Sequence, residues 1–150
     1  MFSETQRLVR LTDEASSAFD LSIAFGCVAD DDEKQIPSPA PEEEASISQR
    51  ASERRRHDFA LGRLAARRAL KALGCESAVI PMGGSGEPIW PRGLVGSISH
   101  TAGSAVSAVA HQAEVSGIGI DLEHDRDVAD LVHLVAFGAG GLWLDAPMAS

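Results

Sequence analysis

Apolar residues along the chain form short continuous runs in several places. Residues 21–29, LSIAFGCVA, are apolar and partly β-branched, and their length is that of a strand. Residues 94–99, 105–110 and 117–122 have the same character. Alternation along GSISH places Ser97 and Ser99 on one face of the second predicted strand, with Ile98 and His100 on the other. The pattern therefore predicts four strands.

Residues 46–73 follow a helical repeat instead. The stretch contains no proline, and Gly74 is placed to end a helix as its C′ residue. Apolar and small residues recur at spacings of three, four and seven, namely Phe59, Gly62, Ala66, Ala69, Leu70 and Leu73. We expect one long helix that buries this face and lets another element approach closely.

The segments between these elements are polar or rich in turn-forming residues. Residues 30–45, DDDEKQIPSPAPEEEA, are acidic and proline-rich, which predicts an exposed connection. Residues 83–91 combine glycines with prolines, as turns do. After Asp127, the pattern favours a short helix over residues 128–137, followed by an irregular glycine-rich end at residues 138–141 without a closing element.

Composition and charge narrow the class of protein. The 150 residues are 44% hydrophobic and 23% charged, as in a globular domain, and the net charge of −9 argues against nucleic acid or an anionic membrane as a partner. Cys27 and Cys75 lack the spacing of a zinc site or a disulfide framework, so we expect two reduced thiols. No signal peptide or membrane span is recognisable, so the expected location is cytoplasmic.

Arginines are concentrated on the predicted long helix. Arg56, Arg63 and Arg67 follow one another at i, i+7 and i+11, which places them within roughly 20° of one line at 100° per residue. One interpretation is a solvated helix surface. The other is an anion site. One guanidinium group can donate two hydrogen bonds to the oxygens of a phosphate, and the rest of the protein is acidic.

Two acids, Asp121 and Glu123, end the last predicted strand. Residues at i and i+2 of a strand share a face, so both carboxylates point the same way while Leu122 lies opposite. Mg²⁺ is commonly bound by one or two carboxylates together with water and substrate phosphates. The pair therefore indicates either a magnesium site or simply the polar end of a strand.

The dipeptide Ser99-His100 offers a second group of polar side chains. Adjacent residues of a strand point apart, and no G-x-S-x-G turn surrounds Ser99, so a nucleophilic Ser-His pair is not supported. His100 at a strand end is better suited to donate a hydrogen bond to a phosphate. The alternative is a histidine with no ligand at all.

Three ordered motifs together resemble a known family. RRRHDFALGRLAARRALKALG, GEPIWPRGLVGSISHTAG and GIGIDLE, over about residues 41–123, are similar to the 4′-phosphopantetheinyl transferase superfamily, in particular the enterobactin synthase component D type. The resemblance implies an α/β (α+β) fold: residues 1–110 would form the first of two lobes, and residues 111–150 would begin the second lobe with the acidic metal motif and end in an irregular, truncated tail.

The resemblance also implies an activity and its ligands. The family transfers 4′-phosphopantetheine from coenzyme A to a serine of an acyl or peptidyl carrier protein, in siderophore, polyketide or nonribosomal peptide biosynthesis. By this resemblance, Asp121 and Glu123 would be catalytic and would bind Mg²⁺ on the pyrophosphate of coenzyme A. The expected ligands of the coenzyme A nucleotide and phosphates are Arg56, Arg63, Arg67, Ser99 and His100.

The chain departs from the family's pattern in two ways. Some members carry a lysine before the loop proline, where this chain has Glu87-Pro88. The W-x-x-K-E-A motif is also missing, since Glu123 is the last glutamate. These departures leave two other functions open. One is a non-catalytic remnant that binds coenzyme A or nucleotide, and the other is an unrelated Mg²⁺-dependent phosphohydrolase.

Overall fold

A computed structural model describes residues 3–17, 22–34, 36–76, 78–101, 103–125, 129–137 and 144–149. The helices are α1 (Glu4–Ser17), α2 (Pro41–Glu44) and α3 (Glu53–Ala72), with a 3₁₀ turn at Asp30–Asp32. The strands are β1 (Ile23–Ala29), β2 (Leu94–Thr101), β3 (Ser104–His111), β4 (Gly117–Asp125), β5 (Ala129–Phe137) and β6 (Leu144–Ala149). None of the described helices is long and apolar enough to cross a membrane.

The strands form two antiparallel sheets. The first is three-stranded in the order β1-β3-β2, and the hairpin between β2 and β3 pairs Leu94 with His111 and Thr101 with Ser104. The second is also three-stranded, in the order β4-β5-β6. Helices combined with antiparallel sheets make this an α+β fold, which confirms the predicted class. The predicted lobe boundary at residue 110 coincides with the change from one sheet to the other, and the division into lobes stays a prediction.

Helix α3 packs directly on one face of the first sheet. The face predicted from the spacing is confirmed, since the residues from Phe59 to Leu70 that define it are buried. Gly26 of β1 lies under the helix, where a Cβ atom would overlap the carbonyl oxygen of Ala65. The helix begins later than predicted, because the Ser52 hydroxyl caps it by accepting from Arg55 N at 3.1 Å. It ends as predicted, with Gly74 at φ +90°.

The opposite face of the first sheet is covered by α1 and β4. Alternate residues of β1 and β3 join α1 and β4 in one apolar cluster, formed by Leu8, Leu11, Ile23, Cys27, Val106, Ala108, Ala110, Val115, Ile120 and Leu122. The sequence pattern had not predicted α1. Cys27 and Cys75 are both free thiols, as expected.

The structure corrects two further expectations. Residues 129–137 form strand β5 rather than a helix, because they pair with β4 along its whole length, and a short apolar run does not by itself distinguish the two. A closing element exists as well, since β6 pairs with β5. Residues 138–141, predicted to be irregular, lie outside the described residues. The acidic connection is not wholly exposed, since Glu43 within it is fully buried.

Replacing Gly26 by alanine tests the close approach of α3 to β1. The added methyl group would meet backbone atoms of the helix, which a side-chain rotation cannot relieve. We expect Gly26→Ala to lower the free energy of unfolding by about 1–3 kcal/mol, the usual range for overpacking a core. Urea titrations followed by circular dichroism measure the free energy of unfolding. Gly84→Ala is the control, since a Cβ there has nothing within 4 Å; equal stability of the two variants would contradict the packing.

Candidate functional site

A cleft of about 150 Å³ lies between α3, the loop that follows it and the end of β2. Turn residues shape the loop wall: Met82 and Pro88 form an isolated antiparallel bridge, and Gly86 adopts φ +84° between them. Arg55, Asp58, Phe59, Gly62, Arg63, Met82, Gly86, Pro88, Ile98 and His100 line the cleft. Its composition is mixed, with cationic, acidic and apolar side chains.

The alternation of β2 places His100 in this cleft. Ile98 packs on the α3 side of the sheet, and the exposed His100 follows two residues later on the same side, which confirms the predicted alternation. Gly62 allows the approach, because a Cβ there would already lie 3.1 Å from the Ile98 methyl group. The small residue on the helix thus lets the end of β2 lie beside Arg63.

Arg63 is the most deeply buried cation of the cleft. Its Nε donates to the carbonyl oxygen of Ile80 at 2.7 Å, and its guanidinium lies 4.2 Å from the centre of the Phe59 ring. Burial is the main cause that lowers the pKa of Arg63 below its usual value, and the nearby Glu43 carboxylate partly offsets it. Among the described residues, the two terminal amino groups of Arg63 have no hydrogen-bond partner, so they remain available to an anion.

A buried carboxylate fixes the chain segment that leads into the cleft loop. Glu43 Oε2 accepts from Ile80 N at 2.8 Å, and Glu43 Oε1 accepts from Ala40 N at 3.0 Å and from Arg67 Nη1 at 2.7 Å. Both polar groups of the Ile80 backbone are therefore held, one by Glu43 and one by Arg63. This pairing anchors the loop wall to α2 and α3.

The three arginines predicted as one stripe do not converge. Arg63 lines the cleft beside His100. Arg67 pairs with Glu43 and borders a different cavity, and Arg56 donates from Nη2 to Ser48 O at 3.1 Å beside a third. Arg55, which was not singled out from the sequence, does line the cleft. Arg55 precedes Phe59 by four residues and Arg63 by eight. This helical spacing could have placed Arg55 on the same side of the helix as Arg63.

The predicted acid pair lies on β4. Asp121 and Glu123 are exposed, and Leu122 between them is buried, so the predicted alternation is confirmed. Among the side chains that the structure describes, no group of three or more histidine, cysteine, aspartate or glutamate residues could hold a metal ion. The exposed carboxylates of Asp121 and Glu123 offer the hard oxygen donors that Mg²⁺ prefers, and two such groups leave room for water and phosphate.

Serine hydroxyls of β2 connect the acid pair to the first sheet. Ser97 Oγ accepts from Ile120 N at 3.2 Å, and Ser99 Oγ accepts from Leu122 N at 3.0 Å. Ser99 Oγ also lies 3.4 Å from Asp121 Oδ1. Ser99 therefore reaches the acid pair on one side of β2, while the adjacent His100 reaches the cleft on the other.

Comparisons with known proteins bear on this arrangement. A family model of the 4′-phosphopantetheinyl transferase N-terminal domain matches residues 42–110. The chain is 47% identical over 83 residues to the 4′-phosphopantetheinyl transferase Npt of Nocardia iowensis, covering 55% of this chain and 37% of that protein. It is 42% identical over 103 residues to the 4′-phosphopantetheinyl transferase PptT of Mycobacterium tuberculosis, covering 66% and 45%.

Enterobactin synthase component D of Salmonella typhimurium is 41% identical over 73 residues, which is 49% of this chain and 29% of that protein. The chain thus spans less than half the length of each of these curated relatives. The matches confirm the resemblance to the 4′-phosphopantetheinyl transferase superfamily, enterobactin synthase component D included.

Removing the Glu43 carboxylate tests its role in holding the cleft loop. Glu43→Ala leaves the buried Ile80 N–H and the partly buried Ala40 N–H without an acceptor, and Arg67 without its partner. A buried donor left without an acceptor costs about 1–3 kcal/mol, and Arg67, whose side chain is 27% exposed, can turn to solvent, so we expect a loss of about that size in chemical denaturation. The neighbouring exposed Glu44→Ala is the control, with an expected change within about 0.5 kcal/mol. Matching losses would show that Glu43 has no special function in the fold.

Proposed function

We propose that this chain, which carries the N-terminal domain of the 4′-phosphopantetheinyl transferases over residues 42–110, transfers the 4′-phosphopantetheine arm of coenzyme A to a serine of an acyl or peptidyl carrier protein. One observation carries the proposal. The acid pair on β4 lies beyond the matched domain, and its Asp121 is within hydrogen-bond distance of Ser99 inside that domain. The two motifs that the reaction needs are therefore in contact.

The acid pair would hold the divalent cation. Asp121 and Glu123 offer exposed carboxylate oxygens on one face of β4, and this donor set suits Mg²⁺ rather than zinc. Mg²⁺ bound there would neutralise the charge that develops on the pyrophosphate during phosphoryl transfer.

Cationic groups of the cleft would hold the phosphates. Arg63 has terminal amino groups without a partner among the described residues, and His100 adds an exposed imidazole beside it. A guanidinium and an imidazole both donate hydrogen bonds to phosphate oxygens. Arg56 and Arg67, which the resemblance also implies, would have to exchange their bonds to Ser48 and Glu43 to do so.

The chemistry asks for positioning more than for a nucleophile. The carrier's serine oxygen would form a bond to the phosphorus that bears the pantetheine arm and its hydroxyl proton would pass to solvent, while the pyrophosphate P–O bond would break and adenosine 3′,5′-bisphosphate would leave with the electron pair. Phosphoryl transfer depends on alignment and charge neutralisation, and a carboxylate pair with cationic donors is what this chain would contribute to it.

A second function is kept as the alternative, because the cations of the cleft and the acid pair lie on opposite sides of β2. Arg63 and His100 could therefore bind coenzyme A or nucleotide without any transfer.

Labelling of apo carrier proteins with a fluorescent coenzyme A tests the transfer. We expect Mg²⁺-dependent labelling that falls on the order of 100-fold or more in Asp121→Ala and in Glu123→Ala, the scale of losing one preorganised charge-stabilising group. Glu114→Ala, which removes an exposed acid from a turn outside the site, is the matched control and should retain full activity.

The other outcomes separate the remaining functions. Calorimetric binding of coenzyme A without any labelling would identify the non-catalytic alternative. Release of phosphate from nucleotides without a carrier protein would identify a phosphohydrolase. Absence of both binding and labelling would reject both the transferase and the coenzyme A-binding alternative.

A further inference from the structure

The aromatic ring of Phe59 covers the guanidinium of Arg63 inside the protein. Arg63 follows Phe59 by four residues on α3, which is about one helical turn, and its guanidinium carbon lies 4.2 Å from the centre of the ring. The Nε of Arg63 donates to the carbonyl oxygen of Ile80 at 2.7 Å. Only 6% of Phe59 and 5% of Arg63 are exposed. The ring and the carbonyl together therefore hold a cation that is almost entirely removed from water.

These contacts leave the two terminal amino groups of Arg63 for the cleft. Neither amino group has a hydrogen-bond partner among the described residues, and Arg63 is one of the residues that line the cleft. A ligand that has to immobilise a long side chain loses about 2-fold to 12-fold in affinity. Because the ring and the carbonyl restrict this side chain in advance, an anion that binds it avoids much of that loss.

The ring of Phe59 does more for Arg63 than fill space. The face of an aromatic ring carries partial negative charge and attracts a cation, most strongly where water is excluded. Burial disfavours the charged guanidinium and is the main cause that lowers the pKa of Arg63. An aliphatic side chain could occupy much of the same volume, but it has no charged face with which to offset that cost. The contact therefore favours a charged guanidinium that stays in one place.

We propose that Phe59 is a positioning residue, whose ring holds the Arg63 guanidinium so that its terminal amino groups meet a phosphate group in the cleft. The proposal rests on the proposed function, because it assumes that Arg63 binds a phosphate of the nucleotide. Phe59 lines the same cleft but has no polar group, so it would act through Arg63 and not as a phosphate ligand itself.

A double-mutant cycle on the binding of adenosine 3′,5′-bisphosphate tests the proposal. Calorimetry with the full 150-residue chain in EDTA measures binding without any divalent cation. We expect Arg63→Met to weaken binding on the order of 10–100-fold, the scale of lost hydrogen bonds to a charged group. Phe59→Leu should weaken it about 5-fold. In the Arg63→Met background, Phe59→Leu should change the affinity by less than about 2-fold, because its effect depends on the guanidinium.

Two further variants separate positioning from general damage to the core. Phe59→Tyr keeps the ring and should bind the bisphosphate within about 2-fold of the parent chain. Leu61→Val removes a methylene from a buried residue of α3 that does not line the cleft. It should lower the melting temperature, measured by circular dichroism, and leave the affinity within about 2-fold. Should Phe59→Leu not fold, Phe59→Met takes its place with the same expected loss, since methionine adapts to irregular space and has no aromatic face.

The other outcomes contradict the positioning role in distinguishable ways. A loss in Arg63→Met without one in Phe59→Leu would overturn the role of the ring and keep Arg63 as a phosphate ligand. A loss from Phe59→Leu that persists in the Arg63→Met background, or an equal loss in Leu61→Val, would show that the ring acts through the fold alone.

Failure of the nucleotide site itself has a different signature. No binding by the parent chain, or an unchanged affinity in Arg63→Met, would overturn Arg63 as a phosphate ligand and the role of Phe59 with it. Transfer is measured separately, by labelling of carrier proteins. The coupling between Phe59 and Arg63 would therefore support the positioning role even if the chain labelled no carrier.

Discussion

The buried carboxylate of Glu43 connects α2, α3 and the segment that leads into the cleft loop. Through its two oxygens it joins the start of α2, the middle of α3 and the backbone of Ile80. A carboxylate with no exposure to solvent is tolerated because each oxygen accepts at least one hydrogen bond and a guanidinium supplies the opposite charge. The carbonyl oxygen of Ile80 in turn accepts a hydrogen bond from Arg63. The bonds to Ile80 therefore hold both the start of the cleft loop and the cation that faces the cleft.

The same network explains the charge distribution of the sequence. Taken alone, the acidic connection looks like an exposed linker, and the basic helix looks like an anion-binding surface. In the structure they are each other's partners in part, since Glu43 pairs with Arg67, Glu33 with Arg68, and Asp30 with His57. Arg68 also donates to the carbonyl of Cys27 on β1 at 2.7 Å. Part of the positive charge of α3, that of Arg67 and Arg68, therefore binds the protein's own acids, and Arg63 and Arg55 are the arginines of α3 seen to line the cleft with His100.

Sequence reasoning succeeded where a residue's position in its own element decides the outcome. The two-residue repeat placed Ile98 opposite Ser97 and Ser99, and Leu122 opposite the acid pair, and the helical repeat identified the face of α3 that meets the sheet. It failed where the partner is distant in sequence. The apolar tail became β5 because β4 offered an edge, and Arg67 left the stripe because Glu43, 24 residues earlier, is buried beside it. Neither partner can be read from local periodicity.

The end of β2 joins the two halves of the candidate site because a strand sends neighbouring side chains to opposite faces. Ser99 reaches β4 and the acid pair, and His100 reaches α3 and the cleft, although the two residues are adjacent. One strand thus sets the distance between the acid pair and the cleft without a flexible connection between them. A shift of β2 by one residue would exchange the faces and turn the imidazole from the cleft toward β4, so the register of β2 with β3 determines the geometry of both. That register is fixed by the tight hairpin between Thr101 and Ser104, where Gly103 adopts φ +85°.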